Sequence, residues 1–382
     1  MPIPEGASDV TDAETLTQAQ SHLATVKELA VDVEADSMHH FLARLCFVQV
    51  GTDEQIFLLD TLVAEVRPDA LAQVFSNPNV TKFFHAAGGD LQFLAEAGVR
   101  VKGLFDTHRA ATLLGWPKVG LADLVLDKLG KTLNKEHQQA DFSLRPLPPA
   151  MRAYIADDVR YLVEVGRMVR QACVEADVLE EVLLDCDRLA EEAAERPDVA
   201  VEYRLKLPKQ GLSNAEQRMA EVVGLRLHHK RLQWAQAADL PMGRMLSNAA
   251  IGSIATRFPK ALKELSRLEG VRGAFAKQYG EEVLAMVRDV IEQNRLGTLP
   301  PAAERKETDR NQRRRSDVLV AWRKEKAVAR KLTPSAVLPN SLVEDLAAAA
   351  PASLEALAGL RWFGPKRVAL YGEEILATLK KG

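Results

Sequence analysis

The sequence predicts an α/β domain built on a mixed sheet, followed by two small all-α domains. Three observations carry this prediction. Short apolar runs alternate with helical patterns over the first 115 residues. From Leu121 onward the pattern is mostly helical. The chain beyond residue 210 repeats itself at a constant offset of 92 residues.

The elements follow in chain order. LAVDVE reads as a first strand, RLCFVQVG as a second and QIFLLD as a third. A helical stretch is expected over residues 63–75, then a strand TKFFHA, a helix GDLQFLAEAG and a short strand in VKGLFD. Long amphipathic helices are expected over 149–176 and 178–194. The stretch RPDVAVEYRLKLPKQGLS breaks the pattern and reads as a linker.

The repeat comes next. Tyr279-Gly-Glu-Glu-Val-Leu recurs as Tyr371-Gly-Glu-Glu-Ile-Leu, and Pro259 matches Pro351. Leu262, Leu265 and Leu268 match Leu354, Leu357 and Leu360; Arg231, Leu246 and Asn248 match Arg323, Leu338 and Asn340. An ungapped register of this length predicts a duplicated helical domain. The expected division is residues 1–200, then 211–293, a polar and basic linker over 294–314, and 315–382.

Bulk properties narrow the function. No apolar run approaches the ~20 residues of a membrane span, so no membrane partner is expected. The opening MPIPEGASDV has neither a basic start nor an apolar core, unlike a signal peptide. Cys46, Cys173 and Cys186 are widely spaced and odd in number, which fits a reducing cytoplasm rather than a disulfide framework. The net charge of −3 hides an asymmetry. Residues 1–200 hold 18 Lys and Arg against 33 Asp and Glu, a net of −15. Residues 201–382 hold 32 against 20, a net of +12, which suits a phosphate backbone.

Five residues carry the chemistry. Asp32 and Glu34 stand i, i+2 on a strand and so share a face, while Val31 and Val33 take the other. Tyr154 and Asp158 stand i, i+4 on a helix and also share a face. Asp90 follows Gly88-Gly89 at a strand-to-helix turn, where it serves either a site or a helix N-cap. Read alone, each of the two pairs fits a solvated face better than a site, and only the pieces together point to one. Carboxylates crowded together repel, and a cluster of them asks for hard cations with oxygen ligands, Mg²⁺ or Mn²⁺.

In this order and spacing the residues resemble the ribonuclease D family of DEDD 3′–5′ exonucleases. Asp32-x-Glu34 is similar to the family's first motif, Asp90 to the second and Tyr154-x-x-x-Asp158 to the third. Tyrosine at that place resembles the DEDDy branch. The stretch from Lys135 through Gln138, Asp141 and Phe142 to Arg145-Pro146-Leu147 resembles a further family segment, as does Phe105-Asp106-Thr107. The two repeats resemble tandem HRDC domains. Two departures stand out: Ala35 replaces a frequent Phe, and Phe142 a frequent Trp.

The resemblance implies a ribonuclease H-like fold and two-metal hydrolysis at the 3′-terminal phosphodiester, releasing nucleoside 5′-monophosphates. Asp32, Glu34, Asp90 and Asp158 would be the metal ligands, for two divalent ions, and Tyr154 would orient the attacking water. His85, Lys135 and Gln138 are candidates for contact with nucleic acid, against plainer roles in a strand end and a loop. The expected partner is RNA, with tRNA precursors as the implied substrate and the cytoplasm as the place. The alternatives are an exonuclease acting mainly on DNA and a non-catalytic nucleic-acid scaffold. His39-His40 and His228-His229 lack partners at zinc spacing. Trp322, Trp362 and Phe363 are expected in a core rather than stacked on bases. Arg313-Arg314-Arg315 is expected in a solvated linker.

Overall fold

Two elements that the apolar pattern does not advertise open the chain. β1 (Ala7–Val10) buries only Val10, and α1 (Ala13–Leu23) starts where the Asp12 side chain accepts the Thr15 N–H. The structure is a computed structural model and describes residues 6–134, 136–195, 207, 210–301 and 309–382.

The expected strands are all present. They are β2 (Glu28–Ala35), β3 (Leu45–Gly51), β4 (Ile56–Asp60), β5 (Thr81–Phe84) and β6 (Leu104–Asp106). The sheet runs β1-β4-β3-β2-β5-β6. β2–β3 and β3–β4 pair antiparallel, whereas β1–β4, β2–β5 and β5–β6 pair parallel, so the sheet is mixed. The order places β2, which carries Asp32 and Glu34, inside the sheet between β3 and β5.

The stretch 63–75 is not one helix. It holds a 3₁₀ turn at Pro68–Leu71 and the short α2 (Ala72–Phe75). Arg67 precedes Pro68 and is extended, at φ −93° and ψ 126°, because the proline ring disfavours a helical residue before it. Next come α3 (Gly88–Glu96), α4 (Thr107–Leu113) and α5 (Leu121–Leu129). The expected helix over 149–176 divides into α6 (Pro149–Arg160) and α7 (Leu162–Glu175) at Tyr161. Just before the break, Val159 of α6 sits against Gly51 of β3. A Cβ on Gly51 would lie 2.8 Å from the Val159 carbonyl oxygen, so only glycine lets α6 lie this close to the sheet. α8 (Leu179–Glu195) follows. Most of the expected linker over 196–213 lies outside the described residues.

The first repeat holds α9 (Asn214–Ala237), α10 (Met242–Met245), α11 (Asn248–Arg257), α12 (Leu262–Leu265) and α13 (Gly273–Leu296). The second holds α14 (Arg310–Arg330), α15 (Pro334–Val337), α16 (Asn340–Ala349), α17 (Leu354–Ala358) and α18 (Pro365–Leu379). Helix thus enters the expected linker over 294–314 from both ends. Arg313-Arg314-Arg315 lies in α14, whose N-cap is Asp309, because arginine is a good helix former; Arg315 donates to the Ala347 carbonyl at 2.7 Å. Trp322 and Phe363 are in the core, at 8% and 0% exposure.

The chain divides into two units. One gathers the described residues of 1–35, 45–196 and 307–382; the other gathers 36–44 and the described residues of 197–306. The second repeat is therefore part of the sheet's unit. Thr333 donates to the Leu113 carbonyl at 3.1 Å, and Ala336 is buried in the same core as the sheet. Lys366 pairs with Glu181 at 3.0 Å, Arg188 with Asp345 at 3.0 Å, Arg330 with Asp177 at 3.4 Å, and Arg361 with Glu191.

Candidate active site

The sheet and α6 build the site. In β2 the alternation holds: Val31 and Val33 are buried, while Asp32 and Glu34 keep partial access to solvent. α6 packs on β2, β3 and β4 and brings in Asp158. One carboxylate oxygen each from Asp32, Glu34 and Asp158 lies within 4.8 Å of the other two. These residues and Tyr154 line an open cleft of about 460 Å³. No Lys or Arg is among its described lining residues.

The electrostatics follow from this crowding. Burial, with little water to solvate charge, pushes Asp32 up to about 7. Burial and then the charges of Asp32, Asp158 and Asp90 push Glu34 up to about 10. Burial and the Asp32 charge hold Asp158 well above the usual carboxylate range, against the opposing pull of its hydrogen bond with Tyr154. Burial and the nearby carboxylates raise the Tyr154 hydroxyl further above its ordinary value, so the phenol keeps its proton. A set of oxygen donors that cannot all ionise unaided, with no side-chain cation among them, fits divalent metal.

Asp90 lies in the first turn of α3, outside the group of three. It is near enough that Asp32 and Asp158, after burial and alongside Asp106, raise it well above its ordinary value. It is not an N-cap: Ala87 holds that position, with no side-chain bond. Asp157, one residue before Asp158, turns away to Arg160 at 2.6 Å. His85 and the exposed Gln138 line the cleft. Lys135 lies outside the described residues.

The structure adds residues whose importance depends on contacts distant in sequence. Phe142 is 1% exposed and stacks on Tyr154, with centroids 6.2 Å apart and planes at 26°. His137 meets the same ring edge-on at 6.0 Å. Arg145 pins this segment to β4 through Asp60, at 2.6 Å from Nη2 to Oδ1. The Asp106 carboxylate accepts the N–H groups of Ala86 and Ala87, both at 3.0 Å, and of His108 and Arg109. It thereby fixes the turn that launches α3 and Asp90. Gln49 stands opposite Asp32 in the β2–β3 register, fully buried, and neither amide atom has a hydrogen-bond partner among the described residues. Ala35 ends β2 at an irregularity in that register.

Comparison with known proteins agrees with this geometry. The family model described as "3'-5' exonuclease" matches residues 8–171, and that of the HRDC domain matches 222–287 and 312–379. The chain is 29% identical to ribonuclease D of Gluconacetobacter diazotrophicus over 98% of its own length and 92% of that protein's. Over nearly its whole length the chain resembles ribonuclease D. It is a 3′–5′ exonuclease with two HRDC domains. It is also 33% identical to the exosome complex exonuclease RRP6 of Saccharomyces cerevisiae, over 46% of this chain and only 25% of that one. Ribonuclease D of Escherichia coli, described as an exoribonuclease involved in structured RNA processing, shares the fold. It matches with a TM-score of 0.66 over 98% of this chain and 99% of that one, at 21% identity.

Proposed function

We propose that the chain removes nucleotides from the 3′ end of RNA by two-metal hydrolysis, with structured precursors such as those of tRNA as its substrates. The observation that carries this reading is the set of three carboxylates within 4.8 Å, with Tyr154 hydrogen-bonded to one of them. Asp32, Glu34 and Asp158 would hold the ions, and Asp90 would supply a fourth carboxylate. When bound, the ions offset the charge of the scissile phosphate and of the attacking and leaving oxygens. Tyr154 keeps its proton, so it positions the attacking water rather than acting as a base. Phe142 and His137 hold the phenol in place. The open cleft admits a single-stranded end, and Gln138 and His85 contact the terminal nucleotide. RNA, rather than DNA, follows from the resemblance to ribonuclease D and to the exosome exonuclease.

The test uses 3′-tailed RNA and matched DNA with Mg²⁺ or Mn²⁺. Stepwise shortening from the 3′ end is expected. Asp32→Asn abolishes it, and Tyr154→Phe slows it by about 10²-fold, the order of a lost positioning group. If neither polymer releases mononucleotides, the enzymatic reading fails. Faster digestion of DNA would make the protein a deoxyribonuclease.

A further inference from the structure

The tautomer of His85 is set by its neighbours. Its Nδ1 lies 2.9 Å from the Thr107 hydroxyl, which itself lies 2.9 Å from the Phe84 carbonyl oxygen. The carbonyl only accepts, so the single Thr107 proton goes to it. The Thr107 oxygen must then accept from His85, which places a proton on Nδ1. Burial holds the ring down to about 4, with Asp106 pulling up and His108 pushing down, so the second nitrogen carries no proton near neutrality. Nε2 is thus a lone-pair acceptor, with no hydrogen-bond partner among the described residues.

The ring is also clamped. Thr107 is fully buried, and His108 meets the imidazole edge-on at 5.5 Å. An acceptor held this firmly in the wall of the cleft selects for a donor. Phosphate oxygens are acceptors and do not qualify. Base amino groups change from one nucleotide to the next, whereas ribose hydroxyls recur at every step of a stepwise digestion. Resting on the exonuclease reading, we propose that His85 Nε2 accepts a hydrogen bond from a ribose hydroxyl, 2′ or 3′, of the terminal nucleotide.

The test is a substrate-by-variant cycle. Oligoribonucleotides that differ only in the last sugar (ribose, 2′-deoxy or 3′-deoxy) are digested by wild type, His85→Asn and His85→Gln. Asn keeps a donor where Nδ1 stood, and so keeps the Thr107 bond, but has nothing at Nε2. Gln places an amide oxygen near Nε2. In wild type, one of the two deoxy ends should lower kcat/KM by about three- to tenfold, the worth of one hydrogen bond. His85→Asn should show the same loss on the ribose end and no further loss on that deoxy end, and Gln should restore part of both. Independently of turnover, the Nε2 nitrogen NMR signal should move when a nucleoside 5′-monophosphate binds, and not with the matching deoxy analogue. If His85→Asn discriminates as wild type does, or if neither deoxy end matters to wild type, the proposal is overturned while the exonuclease reading stands. If wild type digests nothing, it is that reading which fails.

Discussion

At the residue scale, the cluster of Asp32, Glu34, Asp90 and Asp158 ties stability to pH and to metal. All four are raised above their ordinary values. The folded, metal-free protein therefore keeps protons that the unfolded chain gives up above about pH 4, and its stability falls as pH rises from there. The decline runs through the value near 7 for Asp32 and on towards the value near 10 for Glu34. A divalent cation displaces these protons, so it should stabilise more at high pH. We expect the metal-free Tm to fall between about pH 5 and about pH 8, and Mg²⁺ or Mn²⁺ to raise Tm more at the upper value. Asp32→Asn should flatten both trends. A metal-induced rise in Tm as large at the acid end would contradict the argument. The acids were legible in the sequence because strand and helix periods fix which way neighbouring side chains point. Phe142 and Asp106 were marked in the sequence by resemblance alone, without a role in the site, and Gln49 was not marked at all. Phe142 meets Tyr154 through a loop, Asp106 holds a turn some 20 residues away, and Gln49 matters only through strand register.

At the scale of elements, the geometry of the carboxylate cluster depends on how closely α6 approaches the sheet. Gly51 permits that approach: an added Cβ would meet the Val159 carbonyl oxygen at 2.8 Å and the Val159 Cβ at 3.1 Å. Val159 adjoins Asp158, so displacing α6 displaces one carboxylate of the cluster. Gly166 of α7 offers a control, because its Cβ would strike the Phe83 ring at 2.3 Å, away from the carboxylates. Gly51→Ala and Gly166→Ala should each destabilise by about 1–3 kcal/mol, as overpacking does. Only Gly51→Ala should also lower kcat per folded molecule, by up to about 10²-fold for a ligand moved by an ångström. Equal kcat in the two variants, measured after correcting for the folded fraction, would show that α6 placement is not limiting. The break at Tyr161 and the opening β1 are not legible in the sequence because neither leaves an apolar period. The repeat is legible, because its matched residues bond to one another. Arg231 donates to the Leu246 carbonyl and to Asn248 at 3.0 and 2.8 Å, and Arg323 to Leu338 and Asn340 at 2.8 and 2.7 Å. Glu282 takes Trp234 and Lys230, and Glu374 takes Trp322 and Lys326, with tryptophan and lysine one helical turn apart in each.

At the scale of the whole molecule, the two repeats share an interior but not a surface. Arg330, Arg361 and Lys366 of the second repeat are paired with acids of the sheet's unit. Their counterparts 92 residues earlier are Ala238, Glu269 and Ala274. The first repeat instead exposes Arg257, Lys260, Lys263, Arg267, Arg272 and Lys277, none with an ion pair to its side chain among the described residues. Their counterparts in the second are Ala349, Ala352, Glu355, Gly359, Gly364 and Ala369. At these matched positions the basic charge is exposed in the first copy, while in the second it is absent or is spent on docking. Replacing Arg257, Lys260, Lys263 and Arg267 together by Gln should weaken RNA binding. It should also flatten the plot of log affinity against log salt by about 0.7 for each phosphate no longer neutralised. Lys366→Gln should do the opposite. It leaves the carboxylate of Glu181, 1% exposed, without its closest cation, so it should lower Tm while the salt slope holds. A slope that is unchanged in the fourfold variant, or that falls as much in Lys366→Gln, would mean that phosphate binding is not concentrated in the first repeat.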